Sequence, residues 1–245
     1  DVTQAVRLET MRRDFLANVS HELRTPLTVL VGFIETIREL RLDPERARSH
    51  MGMMADQAGR MQRILDDLLM LSSLESASAP PRDQKIPVKA LLDRLCADAG
   101  ALSRGQHKVT LEAHGEFDLL GAESEISSAF ANLVTNAVRY TPVDGQIRLI
   151  WKASEGGASF TVEDSGIGIA PEHISRLTER FYRVDRSRSR DTGGTGLGLA
   201  IAKHALLRHD ASLEIESEPG KGSRFTARFP ARVLSARKPH SDAEA

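Results

Sequence analysis

Apolar positions recur at helical intervals through the first part of the chain. Leu8, Met11, Phe15, Val19 and Leu23 lie three or four residues apart, and Leu27, Leu30, Ile34 and Ile37 carry the stripe onward. The spacing predicts a helix from near Val2 to Leu40, ended by the turn Leu42-Asp43-Pro44. Ala47, Met51, Met54, Ala58, Met61, Leu65 and Leu68 repeat the pattern and predict a second helix to about Ser73. Two long amphipathic helices joined by a short turn make an antiparallel hairpin, which cannot bury so much apolar surface alone. The expected solution is a dimeric four-helix bundle.

The pattern changes after residue 76. Ser76-Ala77-Ser78-Ala79-Pro80-Pro81-Arg82-Asp83 is small, polar and proline-rich, so 1–76 reads as a helical domain and 77–85 as a linker. Beyond it, helical periodicity at about 88–102, 122–139 and 196–208 mixes with alternating segments at about 107–113, 146–153, 158–164, 211–217 and 222–230. That mixture predicts a layered α/β domain over 86–232. Polar, proline-containing sequence after Pro230 predicts a frayed tail, disordered over 233–245. No internal repeat is visible.

Composition narrows the classes. The 245 residues include 33 basic and 34 acidic ones, a net charge of −1, which gives no general attraction to nucleic acid or to an anionic membrane. The single cysteine, Cys96, excludes an intrachain disulfide, suits a reducing compartment and reads as a packing residue. No apolar run has the length of a membrane span, and no signal peptide is visible. The chain starts at Asp1 in register with a helix already under way, so a fragment of a longer protein is expected, whose N-terminal portion could hold membrane spans.

The first chemical candidate lies in the first helix, in Asn18-Val19-Ser20-His21-Glu22-Leu23-Arg24-Thr25-Pro26-Leu27. Thr25 follows His21 by one helical turn on the same face, and Glu22 is rotated from it by about 100°. Pro26 cannot donate to the Glu22 carbonyl, so a bend exposing the imidazole is expected there. A neutral imidazole attacks phosphorus through one nitrogen while the other donates a hydrogen bond that sets the tautomer. Glu22 is placed to accept that bond as base or orienter, which makes His21 a candidate phosphate-accepting nucleophile.

Three later segments fit a nucleotide. In Asn132-Leu133-Val134-Thr135-Asn136-Ala137-Val138-Arg139-Tyr140-Thr141-Pro142, Asn132 and Asn136 share a helix face, and their amide oxygens suit Mg2+ beside phosphates. Arg139 adds a charge for phosphate and Tyr140 an aromatic face for a base. Asp164-Ser165-Gly166-Ile167-Gly168-Ile169 follows a strand pattern. It offers a carboxylate to an adenine amino group, with glycines that permit close backbone approach. Thr192-Gly193-Gly194-Thr195-Gly196-Leu197-Gly198-Leu199 runs into a helix whose N-terminal N–H groups can cradle phosphate. No strand precedes it and no P-loop lysine follows, so it is neither a dinucleotide fingerprint nor a P-loop. Phe181-Tyr182-Arg183 and the arginine-rich stretch to Arg190 read as a lid over phosphates, Phe181 and Tyr182 being its apolar hinge.

In this order and spacing the segments resemble the sensor histidine kinases of two-component systems over nearly the whole chain. Ser20–Leu27 matches the phosphoacceptor box, Asn132–Thr141 the asparagine box, Asp164–Ile169 and Gly194–Leu199 the glycine boxes, and Glu179–Arg183 the phenylalanine box. Met11–His21, Thr28–Phe33 and Leu177–Asp185 look like the phosphate-regulon subgroup, which has Leu177 where many members have Phe. Arg139 stands where lysine is frequent, and remains a phosphate-binding cation. The resemblance implies a helical hairpin, paired into a dimeric four-helix bundle, followed by an α/β sandwich ATP-binding domain of the histidine-kinase, gyrase and chaperone type. It implies ATP and Mg2+ as cofactors, autophosphorylation of His21 with Glu22 as acid/base partner, and a water-positioning role for Thr25 in dephosphorylating the partner. Asn132 and Asn136 would hold the metal. Arg139, Tyr140, Asp164, Arg183, Thr195 and Leu197 would meet the nucleotide, with Gly166, Gly168, Gly194, Gly196 and Gly198 shaping its pocket. The implied partners are a second copy and a response-regulator receiver domain. The implied setting is the cytoplasmic side of an inner-membrane sensor, with phosphate starvation as stimulus.

Rival readings are a nucleotide-operated conformational machine and a phosphatase-biased signalling module with little kinase activity. The first has no need of a histidine box on a separate hairpin, and intact glycine boxes and asparagines count against a degenerate site. His204 and His209 read as structural, and His50, His107, His114, His173 and His240 lack metal-ligand spacing.

Overall fold

The computed structural model describes residues 2–39, 43–76, 79–81, 83–184 and 194–236, with backbone only for 2–12 and 14. The chain divides into two compact units, one of residues 1–70 with 180–197, the other of 71–179 with 198–245.

The first unit is built on α1 (Val2–Glu39) and on α2 (Pro44–Ser76) as far as Met70, the last residues of α2 belonging to the second unit. They run antiparallel, because Phe33 meets His50, with ring centroids 5.2 Å apart, while the earlier Glu22 meets the later Arg60. Asp43 starts α2: its Oδ1 accepts the backbone N–H groups of Glu45 at 3.1 Å and Arg46 at 2.9 Å, and Pro44 takes the first helical position, where its missing N–H costs nothing. Pro26 is buried inside α1 without ending it. On either side Ser20, Thr25 and Thr28 turn their hydroxyls back onto the carbonyls of Leu16, His21 and Arg24.

The apolar stripe of α2 needs a correction. Ile64, Leu71 and Leu74 are the buried positions, whereas Leu65 remains 43% exposed. On α1, Leu16, Leu27, Val29, Val31 and Ile34 stay exposed, as do Met51, Met53 and Leu69 on α2. One hairpin leaves this surface in water.

The second unit layers helices on a sheet. Strands β2 (Lys108–His114), β4 (Gln146–Ser154), β5 (Gly157–Asp164), β6 (Ser212–Glu218) and β7 (Gly222–Pro230) form the order β2-β4-β5-β7-β6. Only the β2–β4 pairing is parallel. The alternation that marked these strands sorts their faces. Ile147, Leu149, Trp151, Phe160, Val162, Phe225, Ala227 and Phe229 are buried against α3 (Val88–Ser103), α4 (Glu123–Tyr140) and α6 (Gly198–Arg208). Phe130 of α4 stacks on Phe160 at 4.1 Å between centroids and meets Phe229 edge-on at 6.0 Å. On the opposite face the paired residues Arg148, Glu163, Arg224 and Glu216 alternate in charge across four strands and are joined by ion pairs.

Short elements escaped the periodicity. β1 (Lys85–Ile86), β3 (Phe117–Leu120) and β8 (Leu234–Ala236) form a second sheet in the order β1-β3-β8, and α5 (Pro171–Ile174) is a single turn. Lys85 thus belongs to a strand rather than to the proline-rich connection. The expected fraying after Pro230 is corrected for 231–236, where a 3-10 turn buries Val233 and Leu234 pairs with Leu119. Main-chain pairing with β3 supplies the order that polar composition concealed. The rest of the expected tail, 237–245, lies outside the described residues.

Candidate active site

His21 is exposed on α1, one turn before Thr25, whose Oγ1 donates to the His21 carbonyl at 3.2 Å. Glu22 is engaged across the hairpin. Its Oε2 accepts from Nη2 of Arg60 at 3.0 Å, and Nη1 of Arg183 stands 3.8 Å from the same oxygen. The segment from Arg180 belongs to this unit. Phe181 lies 5.7 Å from Phe15 between ring centroids, and the Arg180 guanidinium covers the Phe15 ring at 5.3 Å. Burial pulls the Arg180 pKa below its ordinary value.

The second glycine segment begins in the same unit. Thr195 donates to Asp67 of α2 at 2.7 Å and accepts the Leu197 N–H at 3.2 Å. Gly196 has φ +73 and no room for a side chain, since a Cβ there would come within 2.9 Å of the Phe181 backbone. Phe181 donates its own N–H to the Gly196 carbonyl at 2.8 Å. Gly194 is buried beside Thr195. Thr192 and Gly193, with Arg186, Arg188 and Arg190 of the expected lid, lie outside the described residues.

The α/β unit holds the other nucleotide candidates. The Asn132 amide donates to the Ser128 carbonyl at 3.0 Å, which fixes its plane and brings Oδ1 to the start of α6. A Cβ on Gly198 would lie 2.4 Å from that oxygen. Asn136 follows one turn on, half-buried like Arg139, and Tyr140 is 38% exposed. The carbonyl of Tyr140 accepts the Ile167 N–H at 3.2 Å and would stand 2.6 Å from a Cβ on Gly166, so the end of α4 locks onto the Asp164–Gly168 turn.

Asp164 is the chemically distinctive residue. Burial raises its pKa, opposed by hydrogen bonds from the backbone N–H groups of Gly166, at 2.8 Å to Oδ1, and Ser223. A half-buried carboxyl aimed by two backbone donors suits an amino-group ligand. Gly222, which the sequence did not mark, is as necessary as Gly166. Its φ is +98 and a Cβ would fall 1.9 Å from the Asp164 carbonyl. The Pro219-Gly220-Lys221-Gly222 turn carried the signal, but nothing in sequence tied it to Asp164. Arg60 is the other residue missed, an ordinary basic residue on an amphipathic helix until the hairpin folds.

The donor set fits a nucleotide with a hard cation. Asn132 and Asn136 offer neutral amide oxygens, Arg139 a cation, and the glycines bare backbone. No group of three or more His, Cys, Asp or Glu residues forms a metal cluster among the described residues. His209 is structural: its Nε2 accepts the Ala122 N–H at 3.0 Å at the start of α4, and Nδ1 meets the Ala205 carbonyl at 2.8 Å.

Comparison with known proteins agrees with this arrangement. Residues 11–77 match the His Kinase A (phospho-acceptor) domain, and 121–233 match the histidine kinase-, DNA gyrase B-, and HSP90-like ATPase family. The phosphate regulon sensor protein PhoR of Pseudomonas aeruginosa is 54% identical over 97% of this chain and 54% of its own length. Its namesake from Haemophilus influenzae is 39% identical over 96% of the chain and 55% of its own length, so the chain spans about half of each relative. Histidine kinase ThkA, solved in complex with response regulator protein TrrA, shares the fold with a TM-score of 0.71, at 18% identity over 92% of this chain and 63% of that one. With a phosphoacceptor hairpin ahead of a histidine-kinase-type ATPase domain, and with this similarity along the chain, it belongs to the sensor histidine kinases and is of the phosphate-regulon sensor type.

Proposed function

We propose that the chain transfers the γ-phosphoryl group of ATP to His21 and then passes it to an aspartate on a response-regulator receiver domain. The observation that carries the reading is an exposed His21 with a charged Glu22 beside it, in a chain that also folds the nucleotide-binding domain. Asn132 and Asn136 would hold Mg2+, which neutralises phosphate charge when bound. Asp164 orients the adenine amino group, and Arg139 and Arg183 are the cations for phosphate oxygens. One nitrogen of His21 bonds to phosphorus as the bond from that phosphorus to the leaving ADP oxygen breaks. The other keeps its proton and shares it with Glu22, which stabilises the imidazolium.

Thr25 sits one turn from His21 and is exposed, which supports a second activity, orienting water to hydrolyse the phosphorylated regulator. The working unit is a homodimer, since the exposed apolar residues of α1 and α2 supply a bundle interface. No described helix is long and apolar enough to cross a membrane, and placement at the inner membrane would come from sequence outside this chain. Phosphate limitation is the proposed stimulus, on the strength of the PhoR similarity.

The test is incubation of the purified chain with Mg2+ and γ-labelled ATP. Acid-labile, alkali-stable label that disappears in His21→Ala is expected, with ATP binding retained in the variant. Label that persists in His21→Ala would remove His21 from the reaction.

A further inference from the structure

The two oxygens of Glu22 have different surroundings. Among the described residues, every hydrogen bond and ion pair of this carboxylate falls on Oε2, from Arg60 at 3.0 Å and Arg183 at 3.8 Å. Glu22 is 29% exposed, and the Arg60 side chain, reaching over from α2, is 12% exposed. The Nε of Arg60 is buried with no hydrogen-bond partner among the described residues.

Taking a guanidinium out of water against one carboxylate oxygen, with another of its nitrogens unsatisfied, is a poor way to stabilise a helix pair. An apolar side chain of similar length would fill the seam without the desolvation cost. The pair does, however, fix a direction. A carboxylate held by one oxygen has its other oxygen restricted in position, and the residue preceding it is His21.

We propose that Arg60 is a positioning residue for phosphoryl transfer: by holding Glu22 through Oε2 it leaves Oε1 directed to the imidazole N–H of His21. The inference rests on the kinase reading above. Glu22 released from Arg60 samples several rotamers, and the encounter with the imidazole must then be paid for during each turnover. The arginine touches neither substrate nor imidazole; it acts through Glu22. One Nη2–Oε2 bond carries the contact, so a lysine can replace part of it.

The experiment is a double-mutant cycle on the purified chain, read as the rate of His21 labelling across ATP concentrations. Arg60→Met should lower the saturating rate about tenfold while the KM for ATP stays within about twofold, and Arg60→Lys should recover part of the rate. In a Glu22→Gln background Arg60→Met should add less than about twofold, because the residue it acts through is already altered. Melting of each variant is followed in parallel. Full multiplication of the two effects, or a change confined to KM, overturns the proposal. If Arg60→Met does not fold, the cycle is run with Arg60→Lys, whose defect must likewise vanish in Glu22→Gln. A wild-type chain that takes no label defeats the kinase reading itself, whereas a labelled wild type with an unaffected Arg60→Met defeats this inference alone.

Discussion

Asp164 shows what burial does to one side chain, the one proposed to meet adenine. Burial raises its pKa and backbone N–H groups from Gly166 and Ser223 only partly offset this. A raised pKa means that the folded state prefers the protonated acid. Its contribution to stability is therefore complete below the ordinary Asp range and is lost as pH rises through the folded value. Ionising the carboxyl is therefore a cost to the folded state. Asp164→Asn should then melt no lower than the parent at pH 7, with a flatter dependence of Tm on pH from acid to neutral, measured by calorimetry. The same substitution should weaken ATP binding about 10- to 100-fold, the worth of a hydrogen bond to a charged group. Undiminished affinity in a titration would take Asp164 out of the adenine site. Asp164 itself was legible as an acid at a strand end, but Gly222 was not. The need for glycine there comes from the Asp164 carbonyl, which the β5–β7 pairing brings within 1.9 Å of a Cβ.

Among the elements, helix ends follow local chemistry closely. Asp43 and Pro44 announce the start of α2, and the structure gives Asp43 two backbone donors. Asp43→Ala should cost about 1 kcal/mol, visible as a lower melting transition of the hairpin, because two N–H groups lose their acceptor. The five strands of the main sheet were legible to within a residue or so because one face is dry and the other wet. β1, β3 and β8 were not, since two, four and three residues are too few to display alternation. Along α2 the periodicity found the helix but included Leu65, which stays exposed, and left out Ile64, which is buried.

For the whole molecule the dominant feature is apolar surface that a single chain does not cover. Leu27 is 51% exposed and Ile34 49%, two helical turns apart on α1. Such residues grouped along a helix pair call for a partner of the same kind. The chain should sediment as a dimer, and Leu27→Glu combined with Ile34→Glu should shift it to monomer while leaving the melting of the α/β unit in place. A wild-type monomer across micromolar concentrations would contradict the bundle.

The sequence by itself determined what depends on local chemistry and period: the long amphipathic helices and the alternating strands, together with the histidine box, glycines and asparagines for which phosphoacceptor and nucleotide roles are proposed. These signals are local because a helix face or a strand face is set by residues only a few positions apart. Only the tertiary structure decided that Arg60 holds Glu22, that Gly222 makes room for Asp164, that Thr195 reaches Asp67 and that Leu234 extends the small sheet. Each of these joins residues distant along the chain, and neither composition nor period records which distant pairs will meet once the hairpin closes and the sheet forms.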